Sequence, residues 1–172
     1  VARFFAAHYF EARDKFRAAS KQHEGIIDSF TNSAPGPDGR DLTTDTALFG
    51  PVDADRLIIV ISGTHGLEGL AGSGCQVGWI EDGAANALPL GTAVLMVHIL
   101  NPWGCAWGRR QTEGNVDLNR NFVDFTRPLP VNAHYESIRE ALTCPERDGP
   151  RRLQAQQQVQ LFRTQYGERA YA

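Results

Sequence analysis

The sequence has few cysteines, no long apolar run and no marked excess of charge of either sign. Its cysteines lie far apart and form no C-x-x-C pair: Cys75, Cys105 and Cys144. This spacing argues against a disulfide framework or a cysteine-rich metal module, and it favours reduced thiols in a cytoplasmic protein. No apolar run approaches the roughly 20 residues that span a bilayer, so we expect no membrane-embedded segment. The net charge of −3 gives no reason to expect a nucleic-acid partner.

The length and the N-terminus set the domain organisation that we expect. With 172 residues, of which 42% are hydrophobic, the chain can form one domain with its own core. Acidic and basic residues are mixed from Arg3 onward, which argues against a secretory signal peptide. Because the chain starts at Val1 rather than at a methionine, we expect the expressed protein to be longer.

Two apolar runs predict the strands around which the chain is organised. The run Leu57–Ile61 is mostly β-branched and is bounded by polar or turn-forming residues, which predicts a short buried strand. A helix is expected over Leu70–Ile80, and the run Thr92–Leu100 predicts a second strand that is buried on both faces. His98 lies within this second run, where a hydrogen-bonded core histidine is more common than a metal ligand.

Weaker patterns complete the prediction of an α/β domain. Apolar residues at steps of four and three predict an N-terminal amphipathic helix through Phe5, Tyr9, Ala12, Phe16 and Ala19. Two further strands are expected, an edge strand over Ile26–Phe30 and a second one over Leu42–Phe49. Two C-terminal helices are expected over Asn132–Leu142 and Arg151–Tyr166. Strands that alternate with helices predict an α/β fold.

A histidine and a glutamate three residues apart follow the first predicted strand. If a helical turn begins at His65, its side chain and that of Glu68 share one face and can converge on a point. Imidazole nitrogen and carboxylate oxygen are both ordinary zinc ligands. The neighbouring glycines, Gly63, Gly66 and Gly69, leave room for a ligand, and open α/β sheets place their chemistry where strands end. The pair therefore predicts a metal site, although H-x-x-E alone is a weak pattern.

Polar residues are concentrated again after the second strand, within Asn101–Phe122. Arginine offers a planar, permanently charged donor group that suits a carboxylate or an oxyanion, and asparagine adds a neutral donor. The candidate anchors are Arg109, Arg110, Asn119 and Arg120. The alternative is a surface cluster in which the arginines pair with Glu113, Asp117 and Asp124.

These motifs, in this order, resemble those of the zinc carboxypeptidase superfamily. They are His65–Glu68 after a hydrophobic strand, Asn101-Pro102-x-Gly104, and Asp117–Phe122 with the sequence DLNRNF. The superfamily includes the succinylglutamate desuccinylase and aspartoacylase branch, and the motifs are also similar to those of an uncharacterised bacterial family of carboxypeptidase-like proteins. The resemblance covers Leu57–Phe122 and implies a three-layer α/β/α fold with a mostly parallel or mixed central sheet.

The resemblance also implies a role for each candidate residue. His65 and Glu68 would bind zinc, which would activate a water. Arg110, or alternatively Arg109, would stabilise the oxyanion. The carboxylate of the substrate would be held by Asn119 and Arg120.

The later part of the chain departs from this family pattern. The family uses a third histidine ligand on a later strand and then a glutamate as general base. His134 lies at the start of a predicted helix, and Glu168 lies in the final helical stretch without a strand around it. We therefore expect the incomplete, N-terminal portion of a zinc carboxypeptidase-like domain, with two of three zinc ligands and no activity of its own. An incomplete sheet would expose an apolar edge that aggregates or pairs with another copy.

Three functional hypotheses are open at this point. The first is a zinc-dependent hydrolase that cleaves a small peptide or N-acyl amino acid next to a free carboxylate. Its missing parts would lie on a continuation of the chain, on a second copy or on a companion chain. The second is a carboxylate-binding module without catalysis. The third is a phosphate-binding loop over residues 63–74, which lacks both G-x-G-x-x-G and the G-K-[ST] ending.

Overall fold

In the computed structural model, which describes residues 1–171, the chain forms two compact units. The first unit comprises Val1–Thr112 and Asp117–Asn119. The second comprises Glu113–Val116 and the described residues from Arg120 onward. None of the helices within residues 1–171 has the length and apolar character that a bilayer-spanning helix needs.

The first unit contains three α-helices and four strands. The helices are α1 (Tyr9–Gln22), α2 (Gly69–Glu81) and α3 (Pro102–Trp107). The strands are β1 (Ile26–Thr31), β2 (Thr43–Phe49), β3 (Arg56–Ile61) and β4 (Thr92–His98). The second unit contains α4 (Ala133–Leu142), α5 (Pro150–Tyr166) and the short α6 (Glu168–Tyr171).

The four strands form one mixed sheet in the order β1-β2-β4-β3. β1 pairs with β2 and β2 with β4 in antiparallel fashion, whereas β3 runs parallel to β4. The parallel pair is joined through α2, because parallel neighbours need a crossover connection. The predicted α/β class and mixed sheet are confirmed.

The core of the first unit lies on one face of this sheet. Helices α1 and α2 contribute to the same buried cluster as β2 and β4, which consists of Phe16, Ala19, Ala47, Phe49, Val77, Ile80, Val94 and Met96. The amphipathic N-terminal helix is confirmed, but it begins at Tyr9 rather than at Phe5, with His8 as its N-cap. Phe5 packs instead on α2, where a Cβ on Gly74 would lie 2.4 Å from its ring.

The prediction that Leu57–Ile61 is buried is wrong. The run does form β3, but of the described strands β3 pairs with β4 alone, and its five apolar residues are between 38% and 55% exposed. Leu57, Ile59 and Ile61 share a face with their β4 partners Ala93, Leu95 and Val97, opposite the α1–α2 face. A sheet with one helical layer and an apolar edge is an incomplete three-layer α/β domain.

His98 is a hydrogen-bonded core residue, as expected. Its Nε2 lies 2.8 Å from the Ser73 hydroxyl, and its ring stacks on Phe16 with 4.4 Å between the ring centroids. Burial lowers the pKa of His98 to about 4. Burial raises the pKa of the neighbouring Asp45, but hydrogen bonds from Ser29 and Arg13 hold it below its ordinary value.

The second unit is built from α4 and α5. Asn132 caps α4, as predicted, by accepting a hydrogen bond from the Tyr135 backbone N–H at 3.1 Å. Helix α5 begins at Pro150, a residue that suits the first helical position because its missing N–H is not needed there. Buried small residues from both helices, with Cys144 between them, form the core of this unit: Ala141, Cys144 and Ala155.

Acidification should destabilise the first unit, because His98 folds in its neutral form. The unfolded state takes up the proton near the ordinary value of 6.5 and the folded state only at about 4. The His98 contribution is therefore fully present above pH 6.5 and is lost as the pH falls to 4, at a cost of about 3 kcal/mol. Urea unfolding at a series of pH values checks this, and His98→Gln should remove this part of the loss. Equal losses in both proteins would contradict the prediction.

The exposed β3 edge should drive self-association, because five consecutive apolar residues carry no charge that blocks strand pairing. We expect Ile59→Lys to lower the mass measured by light scattering over a concentration series. Leu90→Lys is the matched control, since Leu90 is 95% exposed in a loop and its side chain is outside the edge. A wild-type chain that stays monomeric throughout the series would refute the prediction.

Candidate functional site

The candidate site lies where the parallel strands β3 and β4 end. Ser62 joins the two strand ends, because its hydroxyl accepts a hydrogen bond from the Ile99 backbone N–H at 2.9 Å. Gly63 has φ +65°, and a Cβ there would lie 2.9 Å from the Ile99 Cα, so the turn requires glycine. This turn delivers His65 to the beginning of a 3₁₀ turn, Gly66–Glu68, that leads into α2.

The His65 ring lies between two carboxylates. Its Nδ1 is 3.2 Å from each carboxylate oxygen of Glu68, and its Nε2 is 3.1 Å from Oδ1 of Asp117. A neutral imidazole has one N–H, so it can donate to one of these carboxylates but not to both. The other ring nitrogen then needs a proton or another cation between itself and the carboxylate that it faces.

Arg110 completes a cluster of four charged or chargeable groups. Its Nε donates to Oδ2 of Asp117 at 3.2 Å, and its Nη1 lies 3.8 Å from Oε1 of Glu68. Partial burial raises the pKa of Asp117, but hydrogen bonds from His65 and Arg110 hold that pKa below its ordinary value. Asp117 is thus a carboxylate that holds the imidazole and the guanidinium together.

The donor set at His65 and Glu68 fits part of a zinc site. Two ligands with zinc bonds of about 2.0–2.2 Å lie roughly 3.3 Å apart in a tetrahedron, and the Nδ1–carboxylate distance here is 3.2 Å. Asp117 on the other ring nitrogen is the carboxylate partner that metal-binding histidines commonly have. Because Asp117 faces Nε2, it cannot share an ion with Nδ1. Within residues 1–171, no group of three or more His, Cys, Asp or Glu side chains is arranged to hold a metal ion.

The remaining predicted anchors are Arg109, Asn119 and Arg120. The Arg109 backbone N–H donates to the Gly104 carbonyl at 2.7 Å, while the exposed Asn119 donates its backbone N–H to Asp117 at 3.0 Å. Arg120 is exposed and belongs to the second unit. Trp103 is buried in the core and stacks on Trp107, with 5.8 Å between the ring centroids.

Asp117 is the site residue whose role the sequence does not reveal. It lies 52 residues from His65, so no local spacing indicates their contact, and the sequence suggests Asp117 only as a partner of surface arginines. The available signal is its place at the head of the Asp117–Phe122 motif. Its contact with Arg110 agrees with the predicted arginine pairing, and its contact with His65 is additional.

Comparison with known proteins gives a family and distant structural likenesses. No curated protein matches the chain. The crystal structure of a glutaminyl cyclase from Fimbriiglobus ruber is similar at 14% identity and a TM-score of 0.38. That alignment covers 51% of this chain and 36% of the other, and a likeness at this level supports no argument about function.

The family comparison covers almost the whole chain. The family described as "Protein of unknown function (DUF2817)" matches residues 5–172. This match agrees with the expected kinship to an uncharacterised family, and the chain belongs to the DUF2817 family.

Proposed function

We propose that this chain carries part of the active site of a zinc-dependent hydrolase of carboxypeptidase or deacylase type. The bond cleaved would be a peptide or N-acyl amide bond next to a free carboxylate. The observation that carries the proposal is the position of His65 Nδ1, 3.2 Å from the Glu68 carboxylate at the end of a parallel strand, with Arg110 beside it. The order of the three motifs in the sequence supports the same chemistry.

In this proposal each side chain has a separate task. Zinc held by His65 and Glu68 would supply a Lewis acid that activates a water. Asp117 would accept a hydrogen bond from the Nε2–H of His65, which leaves the Nδ1 lone pair directed towards Glu68. The Arg110 guanidinium, which Asp117 also holds, would stabilise negative charge that develops on the carbonyl oxygen of the substrate.

The proposal also covers the substrate, the third zinc ligand and the general base. Asn119 and Arg120 would bind the free carboxylate of a small peptide or N-acyl amino acid, and Arg109 is the alternative to Arg110 as oxyanion anchor. The third zinc ligand and the general base would come from a continuation of the chain, a second copy or a companion chain. We therefore propose that the chain alone is inactive, and that the complete protein works in the cytoplasm.

A carboxylate-binding module without catalysis is the second candidate. It is favoured by the cluster itself, in which His65 and Glu68 are two ligands where a catalytic zinc site uses three. Such a module would keep the arginine and asparagine anchors and would take up no metal.

Zinc binding separates the two candidates. We expect the full-length protein, with its third ligand in place, to bind one zinc ion per chain in calorimetric titrations. His65→Ala and Glu68→Gln should abolish this binding, because each removes a ligand. Glu140→Gln is the matched control, since Glu140 is exposed on α4. Absence of zinc uptake at every concentration would reject the hydrolase and favour the binding module.

Removal of Asp117 should weaken zinc binding without removing a ligand. Loss of a carboxylate partner of a ligating histidine typically costs 10–100-fold in metal affinity, so we expect that change for Asp117→Ala in the same titration. Asp124→Ala is the control, because Asp124 bonds within its own turn to Thr126 and Arg127. If both variants retain wild-type affinity, Asp117 does not orient His65.

A further inference from the structure

Asn101 is hydrogen-bonded to three different parts of the site. Asn101 is buried, with 2% of its surface exposed. Its backbone N–H donates to the Gly63 carbonyl at 2.9 Å, and its Oδ1 accepts from the Gly104 backbone N–H at 2.8 Å. Its Nδ2 donates to the Arg110 carbonyl at 3.2 Å. The residue therefore links the end of β3, the beginning of α3 and the loop that carries Arg110.

The Arg110 carbonyl links the two halves of the candidate site. Besides the Asn101 amide, it accepts a hydrogen bond from the Gly66 backbone N–H at 3.2 Å. Gly66 directly follows His65, and Arg110 carries the guanidinium. Both lone pairs of one carbonyl oxygen thus hold the imidazole turn at a fixed place beside the arginine.

Close backbone packing keeps this connection rigid. A Cβ on Gly66 would lie 2.1 Å from the Gly104 carbonyl carbon and 2.3 Å from the Cys105 nitrogen. The 3₁₀ turn after His65 therefore lies directly against the backbone of α3. The beginning of the arginine loop is then held by the Asn101–Arg110 hydrogen bond together with the Arg109 backbone N–H, which donates to the Gly104 carbonyl at 2.7 Å.

We propose that Asn101 is a positioning residue that fixes Arg110 relative to His65 and Glu68. The inference rests on the proposed function of these three residues, and it goes beyond that function by assigning a role to the amide of Asn101. A helix cap needs only the side-chain oxygen, and serine supplies one equally well. The Nδ2–Arg110 hydrogen bond is the part of the Asn101 environment that capping does not explain.

The test removes the amide and keeps the cap. Asn101→Ser retains an oxygen for the Gly104 N–H but is too short to reach the Arg110 carbonyl. Asn132→Ser is the matched control, because Asn132 caps α4 through the same atom and belongs to the second unit. Asn101→Asp is a second variant, which keeps the size and the capping oxygen and replaces the amide donor with a carboxylate oxygen. Urea unfolding identifies the variants that are folded.

The first measurement is independent of any metal. The Arg110 Nε–H bonds to Asp117, so its NMR signal and its hydrogen exchange report on this geometry. We expect exchange at least about tenfold faster in Asn101→Ser and in Asn101→Asp, and no change in Asn132→Ser. Equal exchange in all folded variants would overturn the proposal.

The second measurement is the zinc affinity, which should fall by about tenfold in Asn101→Ser, as for other residues that orient a ligand through a hydrogen bond. A wild-type protein that binds no zinc would reject the proposed function, and the Nε–H exchange would still decide the role of Asn101. Zinc binding that is equal in wild type and in Asn101→Ser would contradict the positioning role while leaving the proposed function intact.

Discussion

The contact between the His65 ring and Asp117 is the interaction on which the site depends. It joins residues 52 positions apart and determines which ring nitrogen faces Glu68. The same carboxylate accepts a hydrogen bond from Arg110, so one side chain orients both the imidazole and the guanidinium. Charge-assisted hydrogen bonds of this kind are stronger than neutral ones, which suits a carboxylate that must hold two partners at once.

The sheet positions the turn that carries His65. The carboxyl ends of β3 and β4 lie next to each other because the two strands are parallel, and α2 returns over the buried face between them. His98 and Asp45 are neighbours across β4 and β2 in the same layer. Their side chains bring polar groups into the core, where Ser73 bonds to His98 Nε2 and Arg13 bonds to Asp45, while His98 Nδ1 has no hydrogen-bond partner among the described residues.

Local patterns predicted most of the elements. Asn132 marked the beginning of α4 because a side-chain oxygen at that place satisfies the first backbone N–H groups. The run 57–61 predicted β3 correctly as a strand but not its exposure, because an apolar run indicates what a strand can bury and not what lies against it. The N-terminal periodicity places the beginning of the helix too early. Phe5 lies before α1, and its ring packs against Gly74 of α2.

The site was predictable only in part. The three-residue spacing of His65 and Glu68 was sufficient to suggest their contact, because one turn brings such residues together. The roles of Arg109 and Arg110 could not be separated, since adjacent residues diverge and only the course of the loop decides which reaches Asp117. The Asp117 contact with His65 depends on the whole sheet and has no local signature.

The contact between the His65 turn and α3 bears on how this site can be found in other sequences. A Cβ on Gly66 would enter the α3 backbone, and a Cβ on Gly104 would lie 2.5 Å from the Asn101 amide. A side chain at Gly66 would require α3 to move, and a side chain at Gly104 would require the arginine loop to move. A search pattern built from His65 and Glu68 alone would therefore accept chains that cannot assemble the cluster, whereas one that also demands these two glycines and Asn101 would exclude them.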